Sequence, residues 1–257
     1  NGGGTLKAGA TLHNNGGSTY FGGGTHTFEG GQITGGGFSY VNAGRVNLAG
    51  IVGASSGPAT GGFGVIGGLL GGAGQLAAER GYFSNGRIVG EATIRLTGNS
   101  TKIGSSTLGM GGGMLINEGT FTGEKAGYID LDDVSGEGAG TIVNRGTWLL
   151  DGNTTYYDTH GDGHFINEGH FLHSDPGVSV INACFDHKEG STFEATERYV
   201  RLNGGGTLKA GATLHNNGGS TYFGGGTHTF EGGQITGGGF SYVNAGRADL
   251  AGLVGAS

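Results

Sequence analysis

The stretch Asp158-Thr159-His160-Gly161-Asp162-Gly163-His164 concentrates imidazoles and carboxylates, with His170, His173 and Asp175 close behind and Asp186 and His187 further on. Asp158, His160, Asp162 and His164 share parity, so on a β-strand all four would project from one face as candidate transition-metal ligands. The competing reading is an exposed polar loop broken by glycine, because no closed zinc-ligand spacing is present. A second acidic run, Asp130, Asp132, Asp133 and Glu137, offers oxygen ligands for calcium. The Gly-Gly-x-Gly-x-Asp nonapeptide of calcium-binding β-rolls is missing, however, so a solvated acidic face is the expectation there. The single cysteine, Cys184, has His187 three residues on, a spacing that assures no contact and defines no nucleophile. The glycine runs precede strand-like patterns and no Lys-Ser/Thr follows them, which removes a phosphate-cradling loop. Thr-x-Thr, needed in every coil of an ice-binding face, occurs only as Thr25-His26-Thr27 and Thr227-His228-Thr229. These residues assign no enzyme activity and no resident cofactor, with calcium or a transition metal as the only candidates.

The elements that would position these residues follow from an unusual composition. Of 257 residues 65 are glycine, only 13% are charged and two are proline. That is several times the average glycine share of roughly 7%, with too little proline for collagen and too little charge for a solvated disordered chain. A formal net charge of −7 and the lack of a Lys/Arg cluster give no electrostatic reason to expect nucleic acid. A backbone-dense, β-rich, repetitive structure remains.

Residues 1–55 recur as 203–257, with differences only at Val46/Ala248, Asn47/Asp249 and Ile51/Leu253. The sequence therefore reads as one full 202-residue period (1–202) plus the start of the next (203–257), a window on a tandem array forming one continuous solenoid. Without the duplicated Lys209, Arg247, Glu231 and Asp249, each period holds 11 basic and 18 acidic residues. The array would thus repel itself along its length, favouring extension over collapse. A catalytic groove copied so faithfully every period would be unusual, which argues against a glycoside hydrolase despite the available carboxylates.

A shorter motif, apolar-x-Asn-x-Gly-x-apolar, recurs around Asn42, Asn117, Asn144, Asn167 and, in the second copy, Asn244; Asn182 sits in a version with Cys184 for glycine. Split by strand parity, one face reads Leu115, Asn117, Gly119, Phe121; Ile142, Asn144, Gly146, Trp148; Phe165, Asn167, Gly169, Phe171. The opposite face carries Glu118, Arg145 and Glu168, so the first is the expected interior. An interior asparagine needs its amide used, and stacking one above another at about 4.8 Å allows that. We therefore expect Asn42, Asn117, Asn144, Asn167, Asn182 and Asn244 to form an interior ladder, with the glycine turning the chain where a side chain would clash, against the alternative that each Asn-x-Gly is a plain surface turn. The fold class expected is all-β, a right-handed parallel β-helix of about 20 residues per coil. Ten coils per period would advance about 48 Å.

Val46 to Ala78 contains no charged residue. It is too glycine-rich and its apolar run too short for a membrane span. Within it Phe63, Val65, Ile66, Leu69 and Leu70 form a candidate contact between units, against the alternative of a plain coil.

The run Phe165-Ile166-Asn167-Glu168-Gly169-His170-Phe171, then Gly190-Ser191-Thr192-Phe193 and Leu202-Asn203-Gly204-Gly205-Gly206-Thr207-Leu208, resembles the repetitive β-helix regions of giant bacterial surface and secreted proteins of the adhesin and autotransporter-passenger type. The resemblance covers about two thirds of the period. It implies an extracellular or cell-surface filament or stalk whose partners are its own neighbouring repeats or chains. The rival is an adhesin or glycan-binding module, for which exposed aromatics among Tyr156 and Tyr157 and the histidine cluster would be the contact, although ordinary packing at a coil edge is the favoured expectation for the two tyrosines.

Overall fold

A computed structural model of the chain describes residues 2–54, 62–124, 127–132, 136–252 and 255–256. It is an all-β parallel solenoid of about 21 residues per turn. Three sheets, here called sheets 1, 2 and 3 in the order the chain first visits them, each contain twelve strands. Every strand pairs in parallel with the strand three places later, one coil up. Strands are three to five residues long, apart from the terminal pair of residues Gly255–Ala256, and glycine-rich corners join them. Register steps vary from 18 residues, Leu69 to Arg87, to 27, Tyr128 to Thr155, so insertions are absorbed at corners while the strands stay aligned.

Alternation puts every second side chain inside. On sheet 3 Phe121, Trp148, Phe171 and Phe193 are successive register partners and fully buried. Phe121 and Trp148 stack at 4.0 Å between centroids, and Phe171 and Phe193 at 5.2 Å. Sheet 2 contributes Leu115, Ile142, Phe165 and Phe185 to the same core. Burying one aromatic side chain is worth about 1.5–3 kcal/mol, so the core is a column of such increments with no single centre.

The charged face of the motif lies outside, where Arg95, Glu118, Arg145 and Glu168 form a ladder of ion pairs across successive coils. At half-exposed arginines such pairs contribute little stability; their effect is to cover the sheet surface with satisfied charge. The motif glycines stack as well. A Cβ on Gly146 would run into the Gly119 carbonyl oxygen, and one on Gly169 into that of Gly146. Close backbone approach at this corner, with no unusual φ, therefore demands glycine.

The second copy of the repeat does not lie over the first on the same sheet. Gly4–Leu6 belongs to sheet 1, whereas its equivalent Gly206–Leu208 belongs to sheet 2; Thr11–His13 belongs to sheet 2 and Thr213–Asn216 to sheet 3. One period is 28 strands, nine turns and a third, in place of the ten expected from asparagine spacing. Each copy is thus rotated by one sheet. Its local structure is nevertheless retained: Gly4↔His26 becomes Gly206↔His228, Thr25↔Arg45 becomes Thr227↔Arg247, and Thr11↔Gln32 becomes Thr213↔Gln234. At about 4.8 Å per coil the period advances about 45 Å.

The segment read as a candidate contact between units is a pair of consecutive, ordinary strands. Phe63, Val65 and Leu70 are interior, while Ile66 and Leu69 are half-buried. The apolar residues that looked available for docking fill the solenoid itself, on strands Gly62–Val65 and Leu69–Gly72.

Candidate functional site

Three polar arrangements stand out, and each depends on coil register. The first is the interior ladder. At the corner between sheets 2 and 3, Asn117 Nδ2 donates to Asn144 Oδ1 at 2.8 Å, and Asn144 Nδ2 donates to Asn167 Oδ1 at 2.8 Å. The same amides donate to the backbone carbonyls of Thr147, His170 and Thr192 one coil up. All three asparagines are fully buried. The column ends on His187, whose Nδ1 lies 3.3 Å from Asn167 Nδ2, and it is bounded by Leu96 below and Leu208 above. Burial pushes the His187 imidazole down to about 3, which keeps it neutral. Asparagine spacing could not reveal His187, because its signal is parity within a coil.

The other expected members lie elsewhere. Asn182 is at the corner between sheets 1 and 2, where Asn203 Nδ2 donates to its Oδ1 at 2.9 Å. Cys184 opens the following sheet-2 strand, so it does not replace a motif glycine at the same corner. Asn42 and Asn244 are exposed. Their parity is reversed, with Val41 inward and Tyr40 outward, so the same short motif turns its asparagine out.

The second arrangement surrounds the histidine and aspartate stretch. Residues 158–163 form a loop, so the shared parity of Asp158, His160, Asp162 and His164 does not align them. Asp158 is buried and accepts from the Gly161 and Gly163 N–H groups, both at 2.9 Å. Burial raises its pKa. His160 approaches Asp132 of the previous coil at 3.2 Å, Asp162 is exposed, and His164 begins the strand His164–Asn167. Asp132, from the acidic run, accepts from Thr159 N at 2.6 Å, Thr159 Oγ1 at 2.7 Å and His160 N at 3.1 Å. Burial alone would raise its carboxyl, but these donors outweigh it and hold the group down at about 2. Asp132 is thus occupied by protein donors; Asp133 lies outside the described residues. His164 instead meets Cys184 and Asp186: one ligand atom from each lies within 4.8 Å of the others.

The third arrangement is an outward-facing aromatic tier on sheet 3, exposed at Tyr20 and half-buried at Phe38, Tyr40 and Tyr82, that sequence reading missed. Tyr20 and Tyr40 stack at 5.3 Å, Phe38 and Tyr40 at 5.3 Å, and Tyr82 meets Tyr40 edge-on at 5.9 Å. The Arg80 guanidinium lies 4.8 Å from the Phe38 ring centre. Gly62 and Gly64 separate these residues in the sheet, and a Cβ on either would strike the Phe38 or Tyr40 ring. The glycines of the uncharged segment thus make room for rings to lie flat. An open groove of about 870 Å³ beside the tier is lined by Phe38, Arg80, Tyr82, Asn99, Thr101 and Glu124. In the second copy the tier reappears on sheet 1, where Tyr222 and Tyr242 stack at 4.7 Å. Tyr156 is fully buried and accepts a hydrogen bond from Trp148 Nε1 at 2.6 Å, in line with the packing reading of this residue, while Tyr157 is exposed beside Tyr128.

Comparison with protein-family models, with curated proteins and with solved structures found no match to this chain.

Proposed function

We propose that this chain is part of an extracellular or cell-surface structural filament or stalk made of tandem 202-residue solenoid periods. The observation that carries the reading is the re-entry of residues 203–252 into the stack in the register of the first copy, one sheet further round. A repeat of 28 strands continues a three-sided solenoid without a break, because the sequence that begins on sheet 1 is taken up with the same local pairing when it begins on sheet 2. Its mechanism is mechanical. Uninterrupted parallel hydrogen bonding along the axis and a stacked aromatic core make a stiff rod, and each coil covers its neighbour's open edge. The extracellular placement rests on the likeness of the repeat to surface-protein repeats. Electron microscopy of a three-period chain tests it: straight rods with about 135 Å of solenoid are expected, and compact or branched particles would overturn it.

The aromatic tier favours a second reading, a glycan-binding adhesive module. Flat rings beside Arg80, Asn99 and Thr101 suit sugar faces and hydroxyls, and rotation of each copy by one sheet would present the tier on all three sides of the rod. Glycan-array binding that Tyr40→Ala abolishes would support this reading; an array silent toward a two-period chain would exclude it.

A further inference from the structure

The His164, Cys184 and Asp186 cluster is the one place among the described residues where three ligating side chains of metal-binding type converge. His164 opens one sheet-2 strand and Cys184 opens the next, and the two are register partners. Asp186, two residues beyond Cys184, projects from the same outer face. Twenty residues separate His164 from Cys184 in sequence, so only coil register brings them together.

We propose that His164, Cys184 and Asp186 bind a borderline-soft divalent transition metal of the zinc(II) class on the outer face of sheet 2, one ion per period. The donor set decides the class. An imidazole nitrogen, a thiolate sulfur and a carboxylate oxygen suit zinc and its first-row neighbours, whereas calcium and magnesium take all-oxygen shells. Three protein ligands leave a fourth tetrahedral position for water, the open form of a zinc site.

The scaffold is already in place. Both strands are held in the ladder, which sets their separation at about 4.8 Å, and tetrahedral bonds of roughly 2.0–2.3 Å are reached by rotamer adjustment alone. The Asp186 carboxylate is oriented from behind: its Oδ1 accepts from Thr207 N at 3.0 Å, on the next coil, as ligating carboxylates in metal sites are themselves hydrogen-bonded. Lys188 Nζ lies 3.5 Å from Asp186 Oδ2 and competes as a resident cation. Binding transfers the Cys184 thiol proton to solvent, so affinity rises with pH.

The test is titration of the full 257-residue chain with cobalt(II) and zinc(II), followed by absorption and calorimetry. The proposal expects one equivalent of cobalt(II) with a thiolate-to-metal charge-transfer band that zinc(II) displaces. Cys184→Ser should remove the band and weaken zinc(II) by at least the roughly 10–100-fold that loss of a group behind a ligand costs. His164→Ala should weaken it likewise, and Lys188→Met should tighten it. All are surface changes, and Trp148 fluorescence verifies that each variant is folded. Binding no tighter than millimolar overturns the proposal. So does zinc(II) affinity unchanged by Cys184→Ser but lost in His160→Ala, which would place the ion in the neighbouring loop.

Discussion

Replacing Asn144 by alanine tests the buried ladder directly. Asn144 is fully buried, accepts from Asn117 and donates to Asn167 Oδ1 and to the His170 carbonyl. Its loss leaves Asn167 Oδ1 without its donor, at about 1–3 kcal/mol for an orphaned buried acceptor. Asn117 Nδ2 keeps its contacts to the Gly119 and Thr147 carbonyls, so the lower neighbour suffers less. The weakened His170 carbonyl and the small cavity add roughly 1–2 kcal/mol, for a total of about 2–5 kcal/mol. Urea unfolding followed by fluorescence of the single Trp148, whose strand begins at the same corner, reads these coils locally. A companion variant sharpens the test. Leu96 and Leu208 bound the column, so replacing Asn117, Asn144, Asn167 and His187 together by leucine removes the side-chain donors and acceptors of the ladder at once; only the bonds to the Thr147, His170 and Thr192 carbonyls are lost without compensation, and the cost per site should fall below that of the single alanine. Asn42→Ala, at an exposed site, should be silent. A loss below about 1 kcal/mol for Asn144→Ala, or one equal to that of Asn42→Ala, would refute the ladder as an energetic unit.

Acid should loosen the solenoid at His187. Its pKa falls from 6.5 to about 3 on folding through burial, so its contribution is intact above pH 6.5 and is lost as pH falls from 6.5 toward 3. At pH 4.5 the loss is about 3 kcal/mol at 1.36 kcal/mol per unit, and His187→Leu should flatten the stability curve by that amount in acid denaturation; His173 and His228, also lowered by burial, keep a residual slope. An unchanged slope in His187→Leu would contradict the buried neutral imidazole. Gly146→Ala should destabilise by more than the roughly 1 kcal/mol that glycine-to-alanine changes gain at compatible sites, because its Cβ meets the Gly119 carbonyl; a thermal midpoint at or above that of the parent would sink the stacking argument. Phe63→Ala should cost about 3–5 kcal/mol in urea and leave assembly unaltered, as expected of a core residue; unchanged stability would restore the surface-contact reading.

Much of the fold was legible because alternation is a period-two signal and the motifs around Asn117, Asn144 and Asn167 keep one parity. The same letters at Asn42 and Asn244 carry the opposite parity, set by Val41 and Val243 within their strands and invisible in the motif itself. Spacing also cannot tell one corner of a triangle from another. Asn182 therefore looked like a continuation of the ladder although it lies a corner away, and coils of 18 to 27 residues turned nine and a third turns into an apparent ten. At Asp158 to His164 the strand premise failed because Gly161 and Gly163 donate to Asp158 and close a loop. The His164–Cys184 pairing and the Tyr20–Tyr40–Tyr82 tier depend on which residues lie one or two coils apart, information that exists only once register is known.

The repeat is a third of a turn out of phase with the solenoid. Helical reconstruction of a chain of six or more periods measures this directly. The expected symmetry is a rotation of 120° per period with an axial rise of about 45 Å, so that identical side chains return to the same side only after three periods, about 135 Å. A rotation near zero per period, or a rise that corresponds to a whole number of coils, would contradict it.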